Sequence, residues 1–175
     1  MRFLKKNDCY NKAAQMLLES RLDEAITLLR GILEKDPTDY KATVTLAVSL
    51  MELQNPPREN SAETREALEL LDRAIKDRPD DPVAVFNKGV CLRKLGNLEP
   101  ALECFKAALE LDEKLSIALL HVAEINYELE RWNEAIEYAR KALTRDPGFE
   151  HSLTWVREAI RKASARQDGS DPPGV

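Results

Sequence analysis

Apolar and charged positions follow one another along this chain at the spacing of amphipathic helices. In the stretch LGNLEPALECFKAALELD, residues 95–112, Ala101, Phe105 and Ala108 lie four and three residues apart, with charged groups between them. This spacing places apolar side chains on one side of a helix. The same pattern predicts helices near 4–19, 22–35, 39–53, 62–77, 82–95, 98–111, 115–129 and 132–144, and a ninth near 149–166.

Small residues recur at nearly constant separations. Alanine holds one position in four successive segments, at Ala25, Ala67, Ala101 and Ala135, with separations of 42, 34 and 34 residues. Each segment ends on a proline, at Pro37, Pro79 and Pro147, except that Glu113 takes this place in the third. A small side chain lets two helices approach closely, while bulkier groups three and four residues away fill the space beside it. We therefore expect these alanines in contacts between paired helices. Pro100 fits the first turn of such a helix, where its missing N–H would have no helical partner.

This repeated pattern resembles the tetratricopeptide repeat, a helix-turn-helix unit of 34 residues. The resemblance covers about residues 6–147 and is strongest in the second helix of each unit. In the first helices, the small position holds Ala13, Ala47, Gly89 and Ala123, whereas Cys9, Thr43, Val85 and Leu119 stand where the family has tryptophan. The resemblance implies an all-α fold, an α-solenoid of stacked antiparallel helix pairs that winds into a right-handed superhelix.

The resemblance also implies how the chain is divided. We expect one domain over residues 1–166, closed by a capping helix at 149–166, and a flexible tail at 167–175. The repeats span about 6–39, 40–81, 82–115 and 116–149. The second repeat contains eight additional residues, QNPPRENS at 54–61, which form either a tolerated surface loop or an extra contact at the rim of the scaffold. Asn60 and Glu63 predict a capping box before the helix that follows.

Charge and cysteine content narrow the classes of partner and compartment. The net charge is −5, and the basic cluster Arg157, Arg161, Lys162 and Arg166 is interrupted by Glu158, so we expect no nucleic-acid partner. No apolar run reaches the length of a membrane span, and the opening MRFLKKNDCYNK turns polar too early for a signal peptide. The three cysteines, Cys9, Cys91 and Cys104, contain no CxxC pair. Free thiols in a reducing compartment follow, and we expect a cytoplasmic protein.

Side chains that could carry catalysis are few. The chain has two histidines, His121 and His151, and a metal site there would need further ligands such as Glu124 or Glu128. No metal-ligand spacing, phosphate loop or nucleophile elbow occurs in the sequence. We therefore expect no enzyme activity, no cofactor and no metal.

The resemblance implies a binding groove along the first helix of each repeat. Carried over by register, the predicted partner-binding residues are Tyr10, Val44, Thr45, Val48, Phe86, Asn87, Val90, Ile117, Leu120, His121 and Trp155. The middle of this set is apolar, which suits an amphipathic helix or an apolar extended segment. Apolar side chains at helical spacing also pack between adjacent repeats, and both interpretations stay open here.

Some members of the family grip the C-terminal carboxylate of heat-shock chaperones with lysine, asparagine and arginine in this groove. In this sequence the corresponding places hold Tyr10, Ala14, Thr45, Val83 and Asn87, and only Asn87 fits. A heat-shock co-chaperone role is therefore disfavoured. A register that starts one repeat later leads to the same conclusion.

Three functional hypotheses follow. The first is a non-enzymatic scaffold, adaptor or chaperone-like, that binds an apolar segment of a partner protein in its groove. The second is a self-associating homo-oligomer, in which an end helix or the N-terminal MRFLK of one subunit enters the groove of the next. The third is the targeting domain of a larger enzyme.

Overall fold

All regular structure in the described part of the chain is helical. The structure is a computed structural model, and it describes residues 6–54 and 56–167. The α-helices are α1 (Lys6–Leu18), α2 (Leu22–Lys35), α3 (Tyr40–Glu52), α4 (Ala62–Asp77), α5 (Pro82–Lys94), α6 (Leu98–Leu111), α7 (Ser116–Glu128), α8 (Trp132–Arg145) and α9 (Val156–Gln167). A 3-10 segment, Pro147–Leu153, precedes α9. The all-α class and the first eight predicted helices are confirmed.

The chain divides into two compact units, Met1–Asn97 and Leu98–Val175. In the first unit, α2 packs against α1 and α3, and both α4 and α5 pack against α3. In the second unit, α7 packs against α6 and α8, and α8 also contacts the 3-10 segment and α9. Each unit is thus built from consecutive helices laid side by side, as the stacked-pair prediction requires.

The repeated alanines lie in helix contacts. Ala25, Ala67, Ala101 and Ala135 each have 0% of their surface exposed. The second small position is equally closed, at Ala74, Ala108 and Ala142, and Ile32 holds it in the first repeat with 6% exposed. A methyl group at these positions lets the helix backbones approach, whereas a longer side chain would displace a neighbour. The prediction that these alanines lie in contacts between helices is confirmed.

The turns between paired helices share one backbone conformation. In three repeats, the second residue after the first helix has a positive φ angle, namely Ser20 at 58°, Gly96 at 81° and Glu130 at 58°. In each turn the next amide donates to a carbonyl five residues back, with N–O distances of 2.9 Å for Arg21 to Met16, 3.0 Å for Asn97 to Leu92 and 2.8 Å for Arg131 to Asn126. This pattern is the Schellman motif, which satisfies carbonyls that the helix end would leave unpaired.

The insertion in the second repeat is held by side-chain hydrogen bonds. The Gln54 amide nitrogen donates to Leu50 O and Thr64 Oγ1 at 3.2 and 3.1 Å, and its Oε1 accepts from the Ser61 hydroxyl at 2.6 Å. The capping box predicted from Asn60 and Glu63 is wrong. Helix α4 begins at Ala62, and the Ser61 hydroxyl oxygen accepts from the Thr64 amide at 3.0 Å. This partly buried network of Gln54, Ser61 and Thr64 fixes the residue at which α4 begins, and the spacing of Asn60 and Glu63 alone does not indicate it.

The capping helix differs from the prediction of one helix over 149–166. Residues 147–153 form a 3-10 segment, and α9 begins at Val156. The Asp146 side chain accepts from the Gly148 amide at 2.9 Å and starts this tighter segment at Pro147. The spacing of Leu153, Val156, Ile160 and Ala163 predicts one apolar stripe along a continuous α-helix. Because a 3-10 helix has three residues per turn, Leu153 does not keep the phase of that stripe, and within α9 Ala159 is buried while Ile160 is 49% exposed. The predicted tail at 167–175 lies outside the described residues after Gln167, and MRFLK lies outside them too.

Candidate functional site

The predicted groove residues of the first unit lie on three helices. Helices α3 and α5 pack against each other, and the Tyr10 hydroxyl on α1 lies 3.2 Å from Thr45 Oγ1 on α3. We define the α3–α5 face as the surface formed by Thr45, Val48, Val83, Phe86, Asn87 and Val90, with Tyr10 at its edge. The structure thus places six of the predicted residues, together with Val83, on neighbouring helices of one unit.

Aspartate caps fix where the two helices of this face begin. The Asp39 carboxylate accepts from the Ala42 amide at 2.9 Å, and the Asp81 carboxylate accepts from the Val83 amide at 2.9 Å. Pro82 occupies the first turn of α5, where its fixed φ suits the helix and no donor is lost. These local signals fix the residues at which α3 and α5 begin.

The apolar part of the α3–α5 face is partly open. Val48, Phe86 and Val90 are half-buried, and Val83 is 47% exposed. Val44 was predicted to line the groove, but it is 6% exposed and belongs to the core of the first unit. The assignment of Val44 to the groove surface is therefore wrong. Val44 lies one turn before Val48 on the same side of α3, but the surrounding core covers more of its surface.

Polar groups around the face are mostly engaged. The Asn87 amide nitrogen donates to Val83 O, one turn earlier on α5, at 2.7 Å. Lys94 forms an ion pair with Glu52, which links the ends of α5 and α3. Lys88 pairs with Asp72 at 2.5 Å. Lysines with carboxylate partners are less available to a ligand. The face therefore presents chiefly apolar surface, together with the Asn87 amide and the Thr45 hydroxyl.

The predicted residues of the second unit lie on α7 and next to α9. Leu120 is 6% exposed and belongs to the core with Leu119 and Leu153, so its assignment to the groove surface is wrong. Ile117 is half-buried against the same core. The His121 ring stacks on buried Phe105, with centroids 4.6 Å apart and planes at 18°. Its place among the partner-binding residues remains a prediction, and in the structure its ring packs against Phe105.

Trp155 belongs to an aromatic cluster that joins α7, α8 and α9. Tyr127 lies 4.6 Å from Trp155 and 5.3 Å from Trp132 between ring centroids. The Tyr127 hydroxyl donates to Glu158 Oε2 at 2.9 Å, and this bond raises the pKa of Tyr127. Lys162 Nζ lies over the Trp132 ring at 4.5 Å. The groove prediction does not include Trp132, which is 6% exposed and is a buried member of this cluster.

The described residues offer little for catalysis. Burial raises the pKa of the Cys91 thiol to about 12, so this sulfur stays protonated and unreactive near neutral pH. No group of three or more histidine, cysteine or acidic side chains in the described ranges is arranged to hold a metal ion. None of the helices in that part of the chain could span a bilayer, because each is too short or too polar.

A cleft of about 830 Å³ lies between α1 and α2, and the sequence pattern did not indicate it. We call it the α1–α2 cleft. Apolar side chains and one glycine form part of its wall, and charged groups form much of the remainder. It is lined by Cys9, Lys12, Met16, Asp23, Glu24, Thr27, Leu28, Gly31, Ile32, Glu34, Lys35 and Asp36.

The chain is similar to several known proteins in sequence. The family model described as "Anaphase-promoting complex, cyclosome, subunit 3" matches residues 60–142. Hsp70-Hsp90 organizing protein 1 of Glycine max is 26% identical over 108 residues, which are 62% of this chain and 19% of that protein. A probable UDP-N-acetylglucosamine--peptide N-acetylglucosaminyltransferase SPINDLY of Hordeum vulgare is 28% identical over 111 residues, 59% of this chain and 12% of that protein. The chain spans about a fifth or less of the length of these relatives.

Solved structures share the fold. A crystal structure of MamA superposes with a TM-score of 0.74 at 16% identity and covers 93% of this chain and 85% of that one. YrrB, described as a TPR protein with an unusual peptide-binding site, superposes with a TM-score of 0.65 at 23% identity and covers 91% of this chain and 74% of that one. At these identities the likeness shows the architecture.

Proposed function

Since this chain is a tetratricopeptide repeat protein, we propose that it is a non-enzymatic interaction scaffold, adaptor or chaperone-like. Its α3–α5 face binds an apolar peptide or an amphipathic helix of a partner protein. The observation that carries this proposal is the row of partly exposed apolar side chains on two adjacent helices, Val48 on α3 with Val83, Phe86 and Val90 on α5. YrrB, which shares the fold, is described by its peptide-binding site.

The face suits an occupant that buries apolar surface and satisfies few polar groups. Each half-buried side chain would remove only its remaining exposed surface from water, and ordering the peptide offsets part of the gain. We expect a dissociation constant on the order of 10 μM. The Asn87 Oδ1, whose amide nitrogen is already bonded to Val83 O, is the acceptor that can orient a bound backbone.

The experiment selects peptides from a phage-displayed library on the full chain and measures the selected peptides by calorimetry. Phe86→Ala is expected to weaken binding by about 1–3 kcal/mol, because it removes the largest side chain of the face. Leu111→Ala is the matched control, since Leu111 is 41% exposed on α6 and lies outside the face. Equal affinity of the two variants, with circular dichroism showing both folded, would remove the face from consideration.

A second measurement tests the expectation that no carboxylate is gripped. Selected peptides are synthesised with a free or an amidated C-terminus. Because the places used by carboxylate-binding relatives hold Tyr10, Ala14, Thr45 and Val83 here, and the amide nitrogen of the remaining residue, Asn87, already donates to Val83 O, we expect equal affinity for both forms. Tighter binding of the free acid by tenfold or more would restore the co-chaperone hypothesis.

A second candidate function is a targeting domain of a larger enzyme. Two observations favour it. The chain matches only 19% and 12% of the length of two relatives, and one of these relatives is named as a probable glycosyltransferase. The size of the native protein, measured by immunoblot of cell extract, tests it. We place the protein in the cytoplasm because Cys9, Cys91 and Cys104 are free thiols.

A further inference from the structure

The α1–α2 cleft is an open surface at the start of the first unit. Among the described residues, those that line it belong to α1, α2 and the residue that follows α2. Met16 and Ile32 form buried apolar wall, at 8% and 6% exposed, and Leu28 is half-buried beside them. Further into α2, Gly31 leaves a gap, because a Cβ built there would meet nothing within 4 Å. The cleft therefore has an apolar wall and room for a side chain of another molecule.

Gly31 has no evident role in the fold of its own helix. It lies inside α2, where glycine is less favourable than alanine, and no neighbouring atom excludes a side chain. The same position of the second and fourth repeats holds Arg73 and Lys141, which are exposed. A missing side chain on an otherwise ordinary helix surface permits another helix to approach closely.

The rim of the cleft is acidic. Four carboxylates and two lysines line the cleft, namely Asp23, Glu24, Glu34 and Asp36 with Lys12 and Lys35. Glu24 is held by Arg21 through two contacts of 2.7 Å, and Asp36 accepts from the Thr38 hydroxyl at 2.7 Å. Asp23 and Glu34, both exposed, are the carboxylates best placed to meet a basic partner.

The outer face of α9 is complementary to this cleft. Arg157, Ile160, Arg161 and Ser164 recur at helical spacing, and all four are exposed, with Ile160 at 49%. The opposite side of α9 is engaged, because Ala159 is buried and Glu158 bonds Tyr127 and Lys162. The outer face therefore presents one large apolar side chain between two arginines.

We propose that the α1–α2 cleft binds the outer face of α9 from a second copy of this chain. Ile160 enters the gap above Gly31, and Arg157 and Arg161 meet Asp23 and Glu34. A second copy is the occupant that the surfaces fit, because the acidic rim and apolar wall of the cleft complement the basic and apolar outer face of α9, whose opposite side packs on α8. Such a contact joins unlike surfaces and adds subunits head to tail, into a ring or a filament. It is independent of the proposed peptide-binding face.

The test exchanges the charges of the two surfaces in the full chain. One variant carries Arg157→Glu and Arg161→Glu, and the other carries Asp23→Lys and Glu34→Lys. Sedimentation velocity over a concentration series is expected to show association of the wild type and about tenfold weaker association of each variant. An equimolar mixture of the two variants is expected to regain association, because the acidic α9 of the first variant then meets the basic cleft of the second, and the unaltered α9 of the second meets the unaltered cleft of the first. Regained association cannot arise from misfolding.

A second pair of variants tests the gap at Gly31. Gly31→Leu fills the gap and is expected to weaken association about tenfold, whereas Lys141→Leu places the same side chain at the equivalent position of the fourth repeat and leaves association unchanged. A monomer at every concentration, or association that neither the charge exchange nor Gly31→Leu alters, overturns the proposal. The cleft would then have another occupant, such as residues 1–5 of the same chain or a different protein. Peptide binding to the α3–α5 face is measured separately in each variant and is expected to persist.

Discussion

Two glycines of the first unit offer a matched test of how backbone conformation determines stability. Gly31 lies inside helix α2, and Gly96 ends the turn after α5 with φ at +81°. An added Cβ would meet no atom within 4 Å at either position. Alanine therefore introduces no clash and no packing contact at either site. The two substitutions differ in the backbone angle that alanine must adopt.

The magnitudes follow from that angle. Gly31→Ala is expected to raise the free energy of unfolding by about 1 kcal/mol, since alanine is more favourable than glycine in a helix interior by that amount. Gly96→Ala is expected to lower it by about 1–2 kcal/mol, because an L-residue with a Cβ is disfavoured in the left-handed region. For a chain of this size, about 1 kcal/mol corresponds to a shift of roughly 2–4 °C in Tm.

The assay is urea denaturation followed by circular dichroism at 222 nm, with each variant at low protein concentration so that association does not contribute. The double variant Gly31→Ala with Gly96→Ala is the control for independence, and its change should equal the sum of the two single changes. Two changes of the same sign would refute the reasoning. So would a loss of stability on Gly31→Ala, because it would mean that the space above Gly31 is filled in solution.

Three further predictions concern the second unit. Glu130→Gly should raise the free energy of unfolding by about 1 kcal/mol, since Glu130 has φ at 58°, and urea denaturation measures it. Ala135→Leu should lower it by about 1–3 kcal/mol, because Ala135 has 0% of its surface exposed; unchanged stability would contradict the close helix contact. The hydrogen bond from Tyr127 and the charge of Lys162 lower the pKa of Glu158 below its ordinary 4.5. The bonded carboxylate therefore stabilises α9 above pH about 4.5, and this stabilisation is lost as the pH falls through the lowered pKa. Tryptophan fluorescence against pH should show this acid transition in the wild type and a weaker one in Glu158→Gln.

The repeat could be predicted from the sequence because its determinants are local and periodic. Alanine at position 101 and its equivalents marks a helix contact wherever it occurs, since only a small side chain lets two helix axes approach. Asp39 and Asp81, which the structure shows as N-caps of α3 and α5, are local determinants of the same kind. Helix bounds, the buried alanines and the order of packing agree with these signals to within two residues for α2 to α8.

The candidate sites could be predicted only in part. Val44 and Leu120 share the periodicity of the groove residues, yet both are 6% exposed. Periodicity reports which side of a helix is apolar, and it does not report how much of that side neighbouring helices cover. No pattern in the sequence indicates the α1–α2 cleft. The cleft depends on how much of α1 and α2 is left open by the packing of the first unit.

What the amino-acid sequence by itself determined is the repeating unit, because helix period, caps and small contact residues act over a few residues of chain. What the tertiary structure alone decided is which apolar side chains remain accessible and where helix phase changes, as at the 3-10 segment before α9. These depend on surface covered by residues far apart along the chain. Ile160 shows the difference, since it lies at helical spacing with Leu153, Val156 and Ala163 and yet has 49% of its surface exposed.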